Sequence, residues 1–276
     1  MHGIKLKSAN QSTHVPAGSG ASITVTGLSK VFPVPGGEVR AVGPLDLHIE
    51  RGEFVSVIGP SGCGKSTTML MVAGLLPRST GMIAIDDRPL AGPITDIGIV
   101  FQNHLLLEFR TAMANVMLQQ QIRGLNRQAL REDAEALFAK LGLKGAEDRY
   151  PAQLSGGMRQ RVSIARALVH QPSMLLMDEP FGALDAISRT QIRHDLELLW
   201  LEQRMTVMFI THSIDEAIGL SDRVLVMSQS PGQIVEEIVI DLPRPRPAHL
   251  GEYPQFADYA NRIYSTFEKL GVYRFK

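Results

Sequence analysis

The chain has 276 residues, 44% hydrophobic and 20% charged, which excludes both a disulfide-dependent mini-protein and an intrinsically disordered polymer. Its 28 Lys and Arg balance its 28 Asp and Glu, so no net positive field argues for nucleic acid as a partner. The balance is local, with a mildly acidic body between two basic ends: Lys5 and Lys7 at one, and Arg244, Arg246, Arg262, Lys269, Arg274 and Lys276 at the other. One cysteine, Cys63, excludes an intramolecular disulfide and fits a reducing compartment. The longest apolar stretch, around Met69 to Leu76, falls far short of the roughly 20 residues that span a bilayer.

In chain order, residues 1–20 are polar, lack the apolar segment of a secretory signal and are expected to be a disordered tail. Ile23, Val25 and Leu28, then Leu45, Leu47 and Ile49, alternate as half-buried strands do. Phe54 to Ile58 is a denser apolar run, the mark of a strand covered on both faces, and similar runs recur at Ile97 to Phe101, Met174 to Met177, Val207 to Ile210 and Val224 to Met227. The fold class is therefore α/β. Between residues 111 and 169 the period becomes helical (Ala129, Ala134, Leu137, Leu141), which predicts a helical insertion. A further helix over Ala186 to Gln203 presents Ile187, Ile192, Leu196, Leu199 and Trp200 for core packing. Leu242-Pro-Arg-Pro-Arg-Pro247 is an extended connector, because proline lacks an amide proton and restrains its predecessor. A terminal helix follows from about Tyr253. The resulting division is 1–20, a body of 21–240, and 241–276.

Gly59-Pro60-Ser61-Gly62-Cys63-Gly64-Lys65-Ser66 fits Gly-x4-Gly-Lys-Ser between a buried strand and the helical run from Thr67. The glycines let successive amides converge on one concavity, and the helix end adds its dipole, making a phosphate cradle. Lys65 then reaches the β- and γ-phosphates and Ser66 ligates Mg²⁺. Asp178 and Glu179 end a second buried strand, where Asp178 can face Ser66 across the metal and Glu179 can take a proton from an attacking water. His212 and Gln102 also follow buried runs; alone, each reads more often as a structural residue, such as a turn cap, than as a functional one. Cys63 beside Lys65 reads either as a small loop filler or as a thiol activated by the helix end.

Leu154-Ser155-Gly156-Gly157-Met158-Arg159-Gln160 supplies a second Ser-Gly-Gly helix start. With the motifs above, in the same order from Ile23 to Ile240, it resembles the ATP-binding-cassette ATPases. That resemblance implies a P-loop, RecA-like core with an antiparallel β subdomain and an inserted helical subdomain, using ATP and Mg²⁺. It further implies that Phe32 stacks on adenine and that residues 59–67, Thr67 included, bind the phosphates. Gln102 senses the metal and γ-phosphate, with Ser66 and Asp178 completing the metal set, and His212 holds Glu179 and the γ-phosphate in line. Ser155, Gly156 and Gly157 meet ATP on a second copy of the chain, and Asp185 crosses to it, in a head-to-tail dimer that ATP closes.

Within the family, Ile240-Asp-Leu-Pro-Arg-Pro-Arg and Asp215-Glu216-Ala217 resemble importers of nitrate, sulfonate, taurine, bicarbonate and related solutes. The resemblance then places the chain at the cytoplasmic face of a bacterial inner membrane, bound to separate permease subunits and indirectly served by a solute-binding protein. A soluble translation or DNA-repair cassette is the rival, disfavoured by the single cassette; an exporter half-cassette is disfavoured by the C-terminal segment. Where relatives have Leu-Leu-Pro-Trp, this chain reads Leu106-Leu107-Glu108-Phe109-Arg110, which predicts a polar or ion-paired permease-coupling surface.

Overall fold

The computed structural model describes residues 20–272; residues 1–19 of the expected tail, and residues 273–276, lie outside the described residues. β1 (Ile23–Val34) and β2 (Gly37–Ile49) form a long antiparallel ribbon with a turn at Pro35-Gly36. Leu45, Leu47 and Ile49 point inward while Asp46 and His48 face solvent, the period-2 pattern of a sheet with one wet face. β3 (Phe54–Ile58) is buried at every residue and leads through the 59–64 turn into α1 (Lys65–Val72). β4 (Thr80–Ile85) pairs with β1, and the short β5 (Arg88–Pro89) completes a four-stranded antiparallel sheet of order β2-β1-β4-β5.

After β6 (Ile97–Val100) the chain leaves the sheets for α2 (Ala112–Val116), α3 (Leu118–Arg123), α4 (Arg127–Lys140) and α5 (Gly156–Leu168). One face of α4 buries Leu130, Ala134, Leu137 and Phe138 in the core that also takes Val162, Ile164 and Ala165 of α5. Thr111, Asn126 and Ser155 each accept a backbone N–H at the start of α2, α4 and α5, satisfying donors that the first helical turn leaves open.

β7 (Met174–Asp178), α6 (Ala186–Gln203), β8 (Thr206–Thr211), α7 (Ile214–Leu220), β9 (Arg223–Met227) and β10 (Ile234–Val239) complete the second sheet. Its order is β10-β9-β3-β8-β7-β6, with five parallel strands and β10 antiparallel at the edge. β3 is thus central, and neighbouring crossovers place all the strand-to-helix turns at one carboxyl edge, where ligands of such sheets bind. β4 and β10 fall outside the runs read from sequence. In β10 adjacent Glu236 and Glu237 break the alternation, and only Ile238 is fully buried. Ile187, expected to face the core, is 82% exposed, because it lies in the first turn of α6, ahead of Ile192, Leu196 and Trp200, which do pack inward.

The 241–249 segment is extended, and α8 (Pro254–Lys269) follows it, burying Ala260, Ile263 and Phe267 against α7 and the outer sheet strands. Two of the arginines that make this end of the sequence basic, Arg244 and Arg246, are used within the chain. Arg244 pairs with Glu197 and Asp222, each at 2.9 Å, and its guanidinium lies 4.4 Å from the Trp200 ring. Arg246, 3% exposed, donates to the carbonyls of Ile218 at 2.5 Å and Ser221 at 2.8 Å, while its N–H donates to Glu197 Oε2 at 2.9 Å. Burial, with the neighbouring charge of Arg244 adding to it, pulls the Arg246 guanidinium down to about 10. Among the described residues no helix is long and apolar enough to cross a membrane.

Candidate functional site

The 59–64 turn lies at the carboxyl end of β3, and its shape is held from outside. Gly64 has φ +102°, and a Cβ there would lie 2.6 Å from Val42 Cγ2 and 2.7 Å from the Ala41 carbonyl, so the ribbon rests directly on the loop. On the other flank a Cβ on Gly232 would overlap the Cys63 carbonyl, and Gly232 and Ala41 share a backbone bond, Gly232 N to Ala41 O, at 3.1 Å. Gly232 was not visible as a site residue in the sequence: its importance is this close approach, 168 or more residues along the chain from the loop it supports. Pro60, Ser61 and Gly62 form the open lip, Thr67 is half-buried in the first turn of α1, and Gly59 is buried against the Met227 carbonyl.

Lys65 is buried, and its ammonium donates to the carbonyls of Gly59 and Pro60, both at 2.8 Å. The cation therefore curls over the turn it belongs to. Cys63 lies beneath, its sulfur 3.9 Å from Lys65 Nζ, and burial pushes the thiol up despite the lysine charge. That overturns an activated thiol and leaves the loop-filler reading.

At the adjoining strand ends, Ser66 Oγ donates to Asp178 Oδ1 at 2.9 Å. Burial raises the Asp178 carboxyl and the charge of Glu179 adds to this, opposed by the Ser66 bond and Lys65. A hydroxyl and a half-buried carboxylate in contact are hard oxygen donors, and so small a set suits Mg²⁺, which keeps water and phosphate oxygens as its other ligands. Gln102 is exposed two residues past Val100, whose partner across the sheet is Met177, so it stands at the same edge as Asp178.

Glu179 adopts φ +44°, a left-handed conformation disfavoured for a residue with a Cβ and tolerated where a fold needs a side chain aimed. Its N–H donates to the Ile210 carbonyl at 2.9 Å, and its carboxylate accepts from His212 Nδ1 at 3.2 Å. The donating Nδ1 fixes the neutral ring's tautomer and leaves Nε2 as an acceptor. The His212 side chain is 60% exposed and that of Glu179 21%, so the pair opens toward solvent above the sheet edge.

The second Ser-Gly-Gly segment starts α5. Ser155 Oγ accepts from Met158 N at 3.2 Å, Gly156 faces open space, and a Cβ on Gly157 would stand 3.4 Å from Ser188 Oγ. Ser188 is in the first turn of α6, which Asp185 caps by accepting from Ser188 N at 2.9 Å, a bond that holds the Asp185 carboxyl below its usual range. Ser155, Gly157 and Asp185 thus occupy two adjacent helix starts with exposed outer faces. Phe32 sits near the tip of the ribbon, half-buried opposite Val39, with Lys30 Nζ 4.9 Å from its ring.

In the 107–111 turn, Phe109 is 74% exposed and Glu108 is also exposed. Arg110 makes no ion pair with Glu108 among the described residues; it donates to Gln121 Oε1 at 3.0 Å. Buried Asn115, which sequence reasoning passed over, pins the turn by donating to the carbonyls of Leu107, Arg110 and Thr111 at 3.1 Å each and accepting from Leu107 N at 2.8 Å.

The sequence profile of the family described as "ABC transporter" matches residues 42–182. An uncharacterized ABC transporter ATP-binding protein of Methanocaldococcus jannaschii is 44% identical over 224 residues, 81% of this chain and 84% of that protein. The aliphatic sulfonates import ATP-binding protein of Bacillus licheniformis is 38% identical over 255 residues, covering 92% of this chain and 98% of that one. A solved dimeric structure of an ATP-binding cassette in a post-hydrolysis state, bound to ADP and Pi, superposes with a TM-score of 0.71 at 28% identity over 80% of this chain and all of that one. The chain belongs to the ABC transporter family and is one of its ATP-hydrolysing cassettes.

Proposed function

We propose that this cassette powers an importer of a small anionic solute, of the nitrate, sulfonate, taurine or bicarbonate kind, by driving separate permease subunits from the cytoplasmic face of a bacterial inner membrane. The observation that carries the reading is the gathering of Lys65, Ser66, Asp178, Glu179 and His212 at one sheet edge, with Ser66 on Asp178 and His212 on Glu179. The name of the Bacillus licheniformis relative, covered over almost its whole length, favours import of a sulfonate-like anion over a soluble cassette or an exporter. The neutral charge balance gives no support to a nucleic-acid partner.

ATP lies with its adenine on Phe32 and its phosphates against the amides of Gly59 to Thr67. Lys65 exchanges the carbonyls of Gly59 and Pro60 for the β- and γ-phosphate oxygens. Ser66, Asp178 and Gln102 hold Mg²⁺, which when bound neutralises charge on the phosphate oxygens. Glu179 accepts the proton of the attacking water, and His212 fixes the carboxylate through Nδ1 and directs its ring toward the γ-phosphate.

Ser155, Gly156 and Gly157 of a second copy cover that phosphate, with Asp185 crossing beside them. Two ATP molecules therefore close a head-to-tail dimer with both sites repeated by symmetry, and hydrolysis releases it. Glu108, Phe109 and Arg110 carry the opening and closing to the permease, which the solute-binding protein supplies with solute.

Glu179→Gln tests the chemistry: nucleotide binding is retained while turnover falls by about 10²-fold or more, the usual contribution of a general base. Undiminished hydrolysis in that variant would remove Glu179 from the role. Stimulation of turnover by reconstituted permease, against stimulation by ribosomes or DNA, decides transport against the soluble rival.

A further inference from the structure

One buried acid next to the site has no part in the chemistry above. Glu216, 5% exposed, lies in the first turn of α7, four residues after His212. Thr211 Oγ1 donates to Glu216 Oε2 at 2.5 Å and accepts from Ser213 N at 3.0 Å, and Ser213 Oγ accepts from Glu216 N at 3.3 Å. These three bonds close a ring that ties down both chain neighbours of His212 and leaves its side chain projecting.

On its far side Glu216 faces α6. Arg189 Nε is 3.6 Å from Glu216 Oε1, and Arg189 Nη2 donates to the Leu184 carbonyl at 3.0 Å. Leu184 closes the turn that follows Glu179: its N–H donates to Phe181 O at 3.1 Å, and Gly182 N donates to Glu179 O at 3.2 Å. A continuous path therefore runs from the Glu179 loop through Arg189 and Glu216 to Thr211 and His212. The last sheet pairing between the two strands is Asp178 with Ile210, and one backbone bond lies past it, from Glu179 N–H to the Ile210 carbonyl at 2.9 Å; the side chains of the two loops are then held by contacts outside the sheet. Arg193 stands behind as a second cation facing Glu216. Burial raises the Glu216 carboxyl, opposed by Thr211 and Arg189, which fits a group retained for position.

We propose that Arg189 and Glu216 are positioning residues that clamp the Glu179 and His212 loops together, so that the carboxylate and the imidazole keep their separation during hydrolysis. The inference rests on the reading of Glu179 and His212 as the hydrolytic pair. Arg189 is 37% exposed at its side chain, its contact with the buried Glu216 is long, and Glu216 keeps its Thr211 donor, so loss of the pair should register in turnover beyond its effect on global stability.

The test measures kcat and KM for ATP, and the affinity for a non-hydrolysable ATP analogue, on the full-length chain carrying Arg189→Ala, Glu216→Gln, both together, or Arg189→Lys, each also in a His212→Ala background. Each single loss should lower kcat about tenfold, as displacement of a catalytic pair by a fraction of an ångström does, with analogue affinity within about twofold. The double variant should fall no further than the worse single, Arg189→Lys should recover part of the rate, and neither change should lower kcat further once His212 is Ala. Multiplicative losses, an added loss in the His212→Ala background, or affinity falling in step with kcat would overturn the clamp. If Glu216→Gln lacks a folded circular-dichroism spectrum, Arg189→Ala alone carries the test. Undiminished turnover in His212→Ala overturns the hydrolytic reading and the clamp with it. A normal loss there, beside unaffected Arg189→Ala and Glu216→Gln, overturns the clamp alone.

Discussion

Arg244→Met removes the cation from a largely buried cluster while keeping an apolar stem against Trp200. Glu197, 2% exposed at its side chain, then retains the Arg246 N–H but loses its ion pair, and the Leu220 carbonyl loses a 2.6 Å donor. Asp222 is 35% exposed and can rehydrate, so the cost falls mainly on Glu197. Stranding one member of a buried pair costs about 3–5 kcal/mol, and the lost contact with the Trp200 ring adds about 0.5–1 kcal/mol. At about 2–4 °C per kcal/mol for a chain of this size, Tm should fall by roughly 10 °C. Urea and thermal unfolding followed by circular dichroism, without nucleotide, would read this directly. Glu197→Gln added to Arg244→Met should recover about half or more of the loss, because a neutral amide no longer needs the cation. A single-variant cost below about 1 kcal/mol, or strict additivity in the double variant, would refute the claim that the connector is held by buried charge.

Two further outcomes follow from the geometry. Gly64→Ala forces a Cβ into Val42 and the Ala41 carbonyl at φ +102°, so nucleotide binding should fall by at least about tenfold while urea stability drops by about 1–3 kcal/mol; unchanged ATP affinity would show that the loop does not depend on the ribbon. His170 is held down to about 4, by burial first and the Arg123 charge second. The unfolded chain takes up its proton near the ordinary value while the fold does not, so stability present above about pH 6.5 is lost as pH falls toward 4, by about 1–2 kcal/mol after allowance for its partial exposure. Between pH 7 and 5 wild type should lose more urea stability than His170→Gln, which lacks the titrating ring; an equal loss in the two would refute the linkage.

The parallel sheet is legible in the sequence because strands covered on both faces are apolar almost throughout, as Met174 to Met177 are and as Phe54 to Ile58 are apart from Ser56. β4 and β10 are not, since Thr80-Gly81 opens one like a turn and paired glutamates interrupt the other. The phosphate loop, Asp178 and Glu179 are local motifs and need only neighbouring residues to be read. Residues whose meaning lies in distant partners leave no such trace: Arg244 reads as a free basic residue until Glu197 and Asp222 are seen beside it, and Glu216 reads as one letter of a subgroup marker until Thr211 and Arg189 enclose it. Ile187 fits the helical period and still faces outward, because period places a residue on a face without saying where along the helix the core begins.

The central position of β3 carries a consequence for how the protein is made. Its two sheet neighbours, β8 and β9, and the Gly232 wedge are synthesised some 150 to 170 residues after it. At about 5–20 residues per second, the ribosome holds the finished phosphate loop for roughly 7–35 s before its flanking strands exist. During that interval the backbone edges of Phe54 to Ile58 are unpaired and its apolar side chains uncovered, an aggregation-prone template on the nascent chain. Messages truncated before residue 206 should therefore yield fragments that bear the intact Gly59–Ser66 motif, bind no nucleotide, and depend on chaperones to stay in solution.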